Sequence, residues 1–412
     1  MASQSENFAL IRVVGVGGAG SNAVNRMIRA ELLGVEFIAV NTDAQALVKS
    51  HAPTRIRIGD AISRGLGAGG DSVVGERAAQ EDLENLRTAL DGSDLVFVTA
   101  GMGGGTGSGA APVVAKVAKD LGALTIGIIT KPFEFEGKRR AAVANAAAEE
   151  LRKYVDTMIV IPNERLLNVV SRQTSMEDSF RIADDVLRQA VQGVSDVITV
   201  PGIINLDFAD VRSIMKDAGS ALMGIGRASG ESRARAAAEL AIASPLLELD
   251  IQGATGVLVN VAASSTVTLH EVNEAINHIT ERADPEANII FGTSLDETLA
   301  DEVQITVIAT GFAGNARSQT ASAASLRTEF PFGRDDGSVN WSTSAPTAGT
   351  STTPVTPYAT PAQVAPAPSW TPSTHPAVSQ EPIAAQVEGE GISPAPVAGD
   401  ELEIPAFLRR RS

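Results

Sequence analysis

Cysteine is absent from the 412 residues, which removes disulfide frameworks and thiolate metal sites from consideration. Aromatic residues make up only 4%, so any core must be built from Val, Ile, Leu and Ala. A hydrophobic content of 44% is ample for that. No run of about 18 apolar residues occurs, and no segment is predicted to cross a membrane as a helix. The amino terminus lacks the basic stretch and small-residue cleavage site of a secretory signal. Lys and Arg number 33 against 49 Asp and Glu, a net charge of -16 that repels nucleic acid and anionic membranes at long range. These absences predict a cytoplasmic protein that meets a membrane only through a partner.

Proline is scarce at first and then crowded. Of the 20 prolines, 7 precede residue 330 and 13 follow it, beginning at Pro331. Trp341 and Trp370, the only tryptophans, fall in the same late stretch. Residues 316–399 are rich in Pro, Ala, Ser and Thr and cannot bury enough apolar surface to offset chain entropy, so they are predicted to be a disordered linker. Before them, strands are predicted at 12–16, 37–41, 55–58, 94–99, 124–130 and 158–161, with helices at 21–30, 73–90, 110–121 and 139–154 between them. Such alternation predicts an α/β fold with a doubly wound, mostly parallel sheet. A long helical pattern then ends near Thr199. A second set follows: helices at 207–218, 232–243 and 269–282, and strands at 221–225, 256–262, 287–292 and 304–311. These suit a smaller α+β domain joined to the first by the long helix.

Two glycine-rich stretches carry the chemistry. Gly101, Gly103, Gly104, Gly105, Gly107 and Gly109, with Met102, Thr106 and Ser108 among them, follow one predicted strand and lead into a helix. Glycine lets backbone N–H groups turn sharply and approach an anion with no Cβ in the way, and a helix N-terminus adds positive potential. Thr106 and Ser108 add hydroxyl donors. Gly15, Gly17 and Gly20 occupy a similar place after the first strand. Alone they fit the GxGxxG spacing of a dinucleotide fold, with Asp43 as the acidic partner, and leave a dehydrogenase open. A second phosphate cradle serves no purpose in a dehydrogenase, whereas two cradles suit one triphosphate. The lysine-bearing loop GxxxxGK[ST] is absent, so charge must be offset by backbone dipoles and a bound cation.

With these motifs the chain resembles the FtsZ family of tubulin-like cell-division GTPases from about Phe8 to Gly314. The resemblance implies a Rossmann-like parallel-sheet GTP-binding domain (8–175), a central helix (176–200), a smaller C-terminal α+β domain (201–315), the linker (316–399) and a partner-binding peptide (400–412). Gly18, Ala19, Gly20, Ser21 and Asn22 match the family's first phosphate loop. Asn41, Thr42 and Asp43 match a loop near the nucleotide, and Gly105, Thr106 and Gly107 match the centre of the signature loop. It further implies ribose contact by Glu136, a contact by Arg140, and a guanine pocket from Asn163, Phe180 and Asp184. A carboxylate at Asp184 accepts two donors from the base edge, and an aromatic ring at Phe180 covers its face. Asp71 stands where asparagine is common in the family, near the triphosphate. Magnesium is expected with the nucleotide, and no residue is assigned as a dedicated metal ligand.

Asn205, Asp207 and Asp210 by themselves read as a helix start with acids in its first turn. In the family the corresponding loop enters the pocket of the next subunit. The resemblance therefore implies that Asp207 and Asp210 polarise the attacking water there, with Asn205 helping to position it, so that hydrolysis depends on head-to-tail filaments. In the tail, Ile404, Phe407 and Leu408 make an apolar stripe followed by Arg409, Arg410 and Arg411. Its resemblance to the family's carboxyl peptide implies docking to membrane-anchoring and regulatory division proteins, and with it a place at the division site on the inner face of the cell membrane. The rival readings are a dinucleotide-dependent oxidoreductase and a scaffold that binds GTP without splitting it. The histidines, His270 and His278 on one predicted helix, His51 and His375 elsewhere, carry no assigned chemistry.

Overall fold

The computed structural model describes residues 9–168, 173–200, 202–245 and 251–312, all within the first of two compact units, Met1–Phe330. The predictions for the linker and for the tail lie outside the described residues. The chain opens with β1 (Ile11–Val16), α1 (Gly17–Arg29), β2 (Val35–Asn41), α2 (Ala44–Val48), β3 (Thr54–Arg57) and α3 (Asp60–Ser63). It continues through α4 (Ser72–Glu81), α5 (Leu83–Leu90), β4 (Leu95–Gly101), α6 (Gly105–Asp120), β5 (Leu124–Lys131), α7 (Lys138–Arg152), β6 (Thr157–Pro162) and α8 (Asn163–Leu166). The long α9 (Met176–Thr199) leads to α10 (Phe208–Met215), β7 (Gly219–Ser229), α11 (Arg233–Ile242), β8 (Gly256–Ala263), α12 (Leu269–Thr280), β9 (Asn288–Leu295) and β10 (Glu302–Thr310).

One sheet of 10 strands runs through the unit in the order β3-β2-β1-β4-β5-β6-β7-β10-β8-β9. The strands from β3 to β6 pair in parallel; β1, β4 and β5 are apolar runs buried on both faces, as parallel strands require, while β3 at the edge is largely exposed. β7 joins β6 in parallel through Thr157–Ile159, then pairs antiparallel with β10, which pairs antiparallel with β8. One apolar core lies against α1 and α9 (Met27, Phe97, Val186, Val194) and a second against α4 to α7 (Ile58, Val98, Val114, Leu151). A third, around Ala237, Val259, Ile279 and Ile305, sits under α11 and α12.

Three departures from the sequence reading concern the site. Residues 73–90 form two helices, broken at Asp82, whose carboxylate accepts the Gly59 N–H at 2.7 Å and the Asn85 amide at 2.9 Å. Such bonds compete with helical backbone pairing. α6 begins at Gly105 rather than near Ala110, and α1 at Gly17 rather than Ser21. Much of each glycine run is therefore the first turn of a helix rather than a loop ahead of it. Strand order reverses between β1 and β4, so the crevice at the carboxyl ends of a doubly wound sheet falls between the two glycine turns.

Candidate active site

Val16 and Ala100 are register partners on adjacent strands, so the turns that follow them leave the sheet side by side. They interlock. A Cβ on Gly101 would lie 2.6 Å from the Ala19 Cβ, and one on Gly107 would lie 2.5 Å from the Gly101 carbonyl oxygen. Gly20 is pressed against the Thr99 carbonyl oxygen, where a Cβ would sit at 2.4 Å. Gly18 and Gly104, by contrast, have nothing within 4 Å of a would-be Cβ. The packed glycines hold the turns together, and the open ones leave backbone amides facing space.

That space is a cavity of about 320 Å³ lined by Gly18, Ala19, Gly105, Thr106, Gly107, Glu136, Arg140, Asn163, Phe180 and Asp184 together with Met102, Thr130 and Pro132. Ten residues predicted from five separate stretches of sequence thus meet around one void. Gly20, Ser21 and Asn22 do not line it. Gly20 serves the close packing just described, and Ser21 is buried in the first turn of α1 with its hydroxyl unpartnered. Thr106 shares a 2.7 Å hydroxyl–hydroxyl bond with buried Thr42, which ties the α6 turn to the end of β2. Ser108 turns inward instead: its hydroxyl oxygen accepts the Gly103 N–H at 2.8 Å. It is a brace for the turn rather than a donor to a ligand. Asp71 caps α4 by accepting the Val73 N–H at 2.9 Å, and Asp43 caps α2 by accepting the Gln45 N–H at 2.8 Å.

Glu136 and Arg140 are not a loose charged turn. One Glu136 oxygen accepts the Phe133 N–H at 3.0 Å, and the other meets the Arg140 guanidinium at 2.6 Å. The carboxylate is largely buried while the guanidinium reaches solvent. Phe133, fully buried, packs edge-on against Phe180 with centroids 5.4 Å apart. Asn163 opens α8 and is buried with its side-chain oxygen unpartnered.

Asp184 and its neighbour Asp185 face different surroundings. Asp185 is held by Arg188 at 2.8 Å and by Gln189, with Arg26 at 3.9 Å. Asp184 accepts no hydrogen bond among the described residues and lines the cavity. Burial pushes its carboxyl up to about 7; the Asp185 charge adds to this and Arg26 opposes it.

Asn205, Asp207 and Asp210 do not join this cavity. All three are exposed around the start of α10. Asp207 is the residue before α10 and Asp210 lies in its first turn, while the Asn205 side-chain oxygen accepts the Gly202 N–H at 2.6 Å. Phe180 and Asp184, near the start of α9, reach the cavity, whereas Thr199 at its end packs against Gly34, just ahead of the amino end of β2. From Asp184 to Thr199 the helix rises about 22 Å, so its start lies at the carboxyl ends of the strands and its finish at their amino ends. The unpartnered Asn163 oxygen and the Thr42–Thr106 pair are features that no residue spacing signals.

Residues 10–171 match the Tubulin/FtsZ family, GTPase domain, and residues 219–313 match the FtsZ family, C-terminal domain. An empty FtsZ dimer from M. jannaschii is 44% identical with a TM-score of 0.72, covering 74% of this chain and 89% of that one. The chain belongs to the FtsZ family. A tryptophan-to-tyrosine mutant of the M. jannaschii FtsZ gives 45% identity and the same TM-score over 74% of this chain and 91% of that one. GDP-bound CetZ1 from Haloferax volcanii, at 21% identity and a TM-score of 0.65 over 76% of this chain and 98% of that one, shares the fold. As a member of the FtsZ family the protein is a tubulin-like GTPase, and GTP is its substrate. The oxidoreductase reading falls with that assignment.

Proposed function

We propose that the cavity between the two glycine turns holds GTP and that a second copy of the chain completes the site for hydrolysis. The observation that carries this is the separation along α9. Phe180 and Asp184 line the cavity, while Asp207 and Asp210 follow the far end of a helix of 24 residues. Within one chain the nucleotide cavity lies at the carboxyl ends of the strands and the acids follow the helix end at the amino side, so head-to-tail contact brings them together. A contact of that kind does not close on itself and builds filaments, in keeping with the FtsZ family.

In this reading the amides of Gly18, Ala19, Gly104 and Gly105 face the phosphates, with the amino ends of α1 and α6 adding positive potential. Thr106, held by Thr42, presents its hydroxyl at the same place. Glu136, steadied by Arg140, contacts the ribose. Asp184 accepts the base edge, Phe180 covers the base face and the Asn163 oxygen finds there the partner it lacks. Asp207 and Asp210 of the next copy orient and polarise the attacking water, and Asn205 fixes the loop that carries them.

Magnesium fits this donor set as an ion held by phosphate oxygens and water. Among the described residues no group of three His, Cys, Asp or Glu forms a cage, and a magnesium ion shared with phosphates needs only one or two protein oxygens. When bound it offsets charge on the phosphates. The wider reading follows the FtsZ family: filaments form the cytokinetic ring at the division site, on the inner face of the cell membrane, and the 400–412 peptide meets membrane-anchoring and regulatory division proteins. No described helix is long and apolar enough to cross a membrane, which suits attachment through a partner.

Hydrolysis measured against protein concentration, with light scattering in parallel, tests the shared site. Turnover per molecule should rise from near zero at a threshold, together with scattering. Equal turnover by dispersed single molecules would remove the second copy from the mechanism.

A further inference from the structure

Thr42 follows β2 directly and is fully buried. Its backbone is held from two sides. The Thr42 carbonyl oxygen accepts the Ser63 hydroxyl at 3.2 Å and the Gly67 N–H at 3.3 Å, while the preceding Asn41 carbonyl accepts the Ile58 N–H at 3.0 Å. The side chain is thereby fixed against the first turn of α6, where its hydroxyl meets that of Thr106 at 2.7 Å. Among the described residues that is the one hydrogen bond of the Thr42 side chain. Each hydroxyl has a single proton to give, and only one of the two protons lies between the oxygens. If Thr106 donated, the Thr42 proton would be left in the core with no acceptor, which disfavours that arrangement roughly tenfold or more. If Thr42 donates, the spare proton belongs to Thr106, which is half-buried and lines the cavity. Solvent or a ligand takes it there. The difference in burial therefore sets the direction of the pair, from Thr42 to Thr106 to the cavity.

We propose that Thr42 is a positioning residue for GTP, holding the Thr106 hydroxyl with its proton turned into the cavity as a donor committed to a phosphate oxygen. This rests on the reading that the phosphates lie at the two glycine turns. Thr42 itself is absent from the cavity lining and acts only through Thr106. A hydroxyl that accepts one hydrogen bond is polarised and donates the next more strongly, so the buried partner both aims and sharpens the exposed one. The chain has no lysine in its glycine turns, and a donor fixed in direction before the ligand arrives costs no reorganisation when the phosphate binds. The Ser63 and Gly67 bonds to the Thr42 carbonyl keep the donor in place.

Two substitutions separate the hydroxyl from the packing of the side chain. Thr42→Val keeps the volume and removes the hydroxyl, whereas Thr42→Ser keeps the hydroxyl and removes a buried methyl. Titrations of the full-length protein with GTP and magnesium, below the assembly threshold, are paired with thermal melts of the empty protein. Thr42→Val should weaken GTP binding roughly fivefold or more, and Thr42→Ser should stay within about twofold of the parent although it melts lower than Thr42→Val. A packing role alone gives the opposite order, with Thr42→Ser the weaker binder. Thr106→Val should weaken binding roughly tenfold, and adding Thr42→Val to it should change affinity by less than about twofold, because no donor remains to be aimed. Parental affinity in Thr42→Val, equal losses in Thr42→Val and Thr42→Ser, or additive losses in the double variant would overturn the role of Thr42 while Thr106 kept its place at the phosphates. Parental affinity in Thr106→Val would instead move the phosphates away from this turn and overturn both.

Discussion

Gly17 and Gly107 lie so close that a Cβ on Gly17 would sit 2.9 Å from the Gly107 amide nitrogen. Gly17 also has φ +74, a conformation that costs other residues roughly 1 kcal/mol or more. Gly17→Ala therefore combines backbone strain with a collision, and it should both destabilise the fold and separate the two turns. Gly104 differs: its backbone is extended and its Cβ would meet nothing within 4 Å. Gly104→Ala should leave the melting temperature within about 2 °C of the parent while weakening GTP binding at least tenfold, because the new methyl occupies the space offered to the ligand. Thermal melts of the empty proteins, paired with nucleotide titrations, separate the two effects.

Asp184 should make GTP binding depend on pH near neutrality. Its carboxyl is pushed up to about 7 in the empty cavity, chiefly by burial, yet the guanine edge offers donors that only the ionised form accepts twice. Binding near pH 7 should release a proportion of a proton, and GTP affinity should fall as pH drops below about 7. The sign for stability is opposite to that of an ordinary salt-bridged acid. A raised folded pKa means no cost below the unfolded value of 3.8 and a growing cost until the folded carboxyl ionises at about 7. Asp184→Asn should thus stabilise the empty protein at pH 8, abolish proton release and weaken discrimination of GTP from ATP. Calorimetric titrations in buffers of different ionisation enthalpy measure the proton directly.

The sequence displayed the strand–helix alternation plainly because buried parallel strands are uninterrupted Val/Ile runs. It displayed the cavity as well, since glycine clusters after β1 and β4 have few other uses. What it concealed is which glycine does what. Gly18 and Gly104 face open space, but Gly20, Gly75 and Gly109 make close backbone contacts, and composition cannot tell these apart. Ser108 was expected among the donors, whereas it braces Gly103. Asp82 broke a helix that periodicity ran straight through, because its partner, Gly59, is 23 residues away. Long-range hydrogen bonds of this kind leave no trace in local spacing.

Asp210→Ala should retain GTP affinity within about twofold, since the residue is exposed at the start of α10 and absent from the cavity lining. Turnover should fall by two orders of magnitude or more, the scale expected when a group that polarises the attacking water is lost. Filaments of the variant should persist longer after assembly, because their nucleotide is not spent. Parallel measurements of phosphate release and sedimentation distinguish this from an assembly defect. Unchanged phosphate release would remove Asp210 from catalysis.

Gly75 offers a test in which two physical effects have opposite signs. It lies inside α4, where replacing glycine by alanine ordinarily stabilises a helix by about 0.5–1 kcal/mol. Here a Cβ would stand 2.3 Å from the Gly105 carbonyl oxygen and 3.1 Å from the Thr106 Cα, both backbone atoms in the first turn of α6. Backbone cannot rotate away as a side chain can, so α4 and α6 must move apart, a repacking that typically costs 1–3 kcal/mol. The collision therefore outweighs the propensity gain, and Gly75→Ala should lower stability by about 1–2 kcal/mol. Because the displaced turn carries Gly105 and Thr106, the same substitution should weaken GTP binding although residue 75 never touches the cavity. Denaturant unfolding of the empty protein fixes the sign. A stabilised variant with normal GTP affinity would show that the helices part without disturbing the turn.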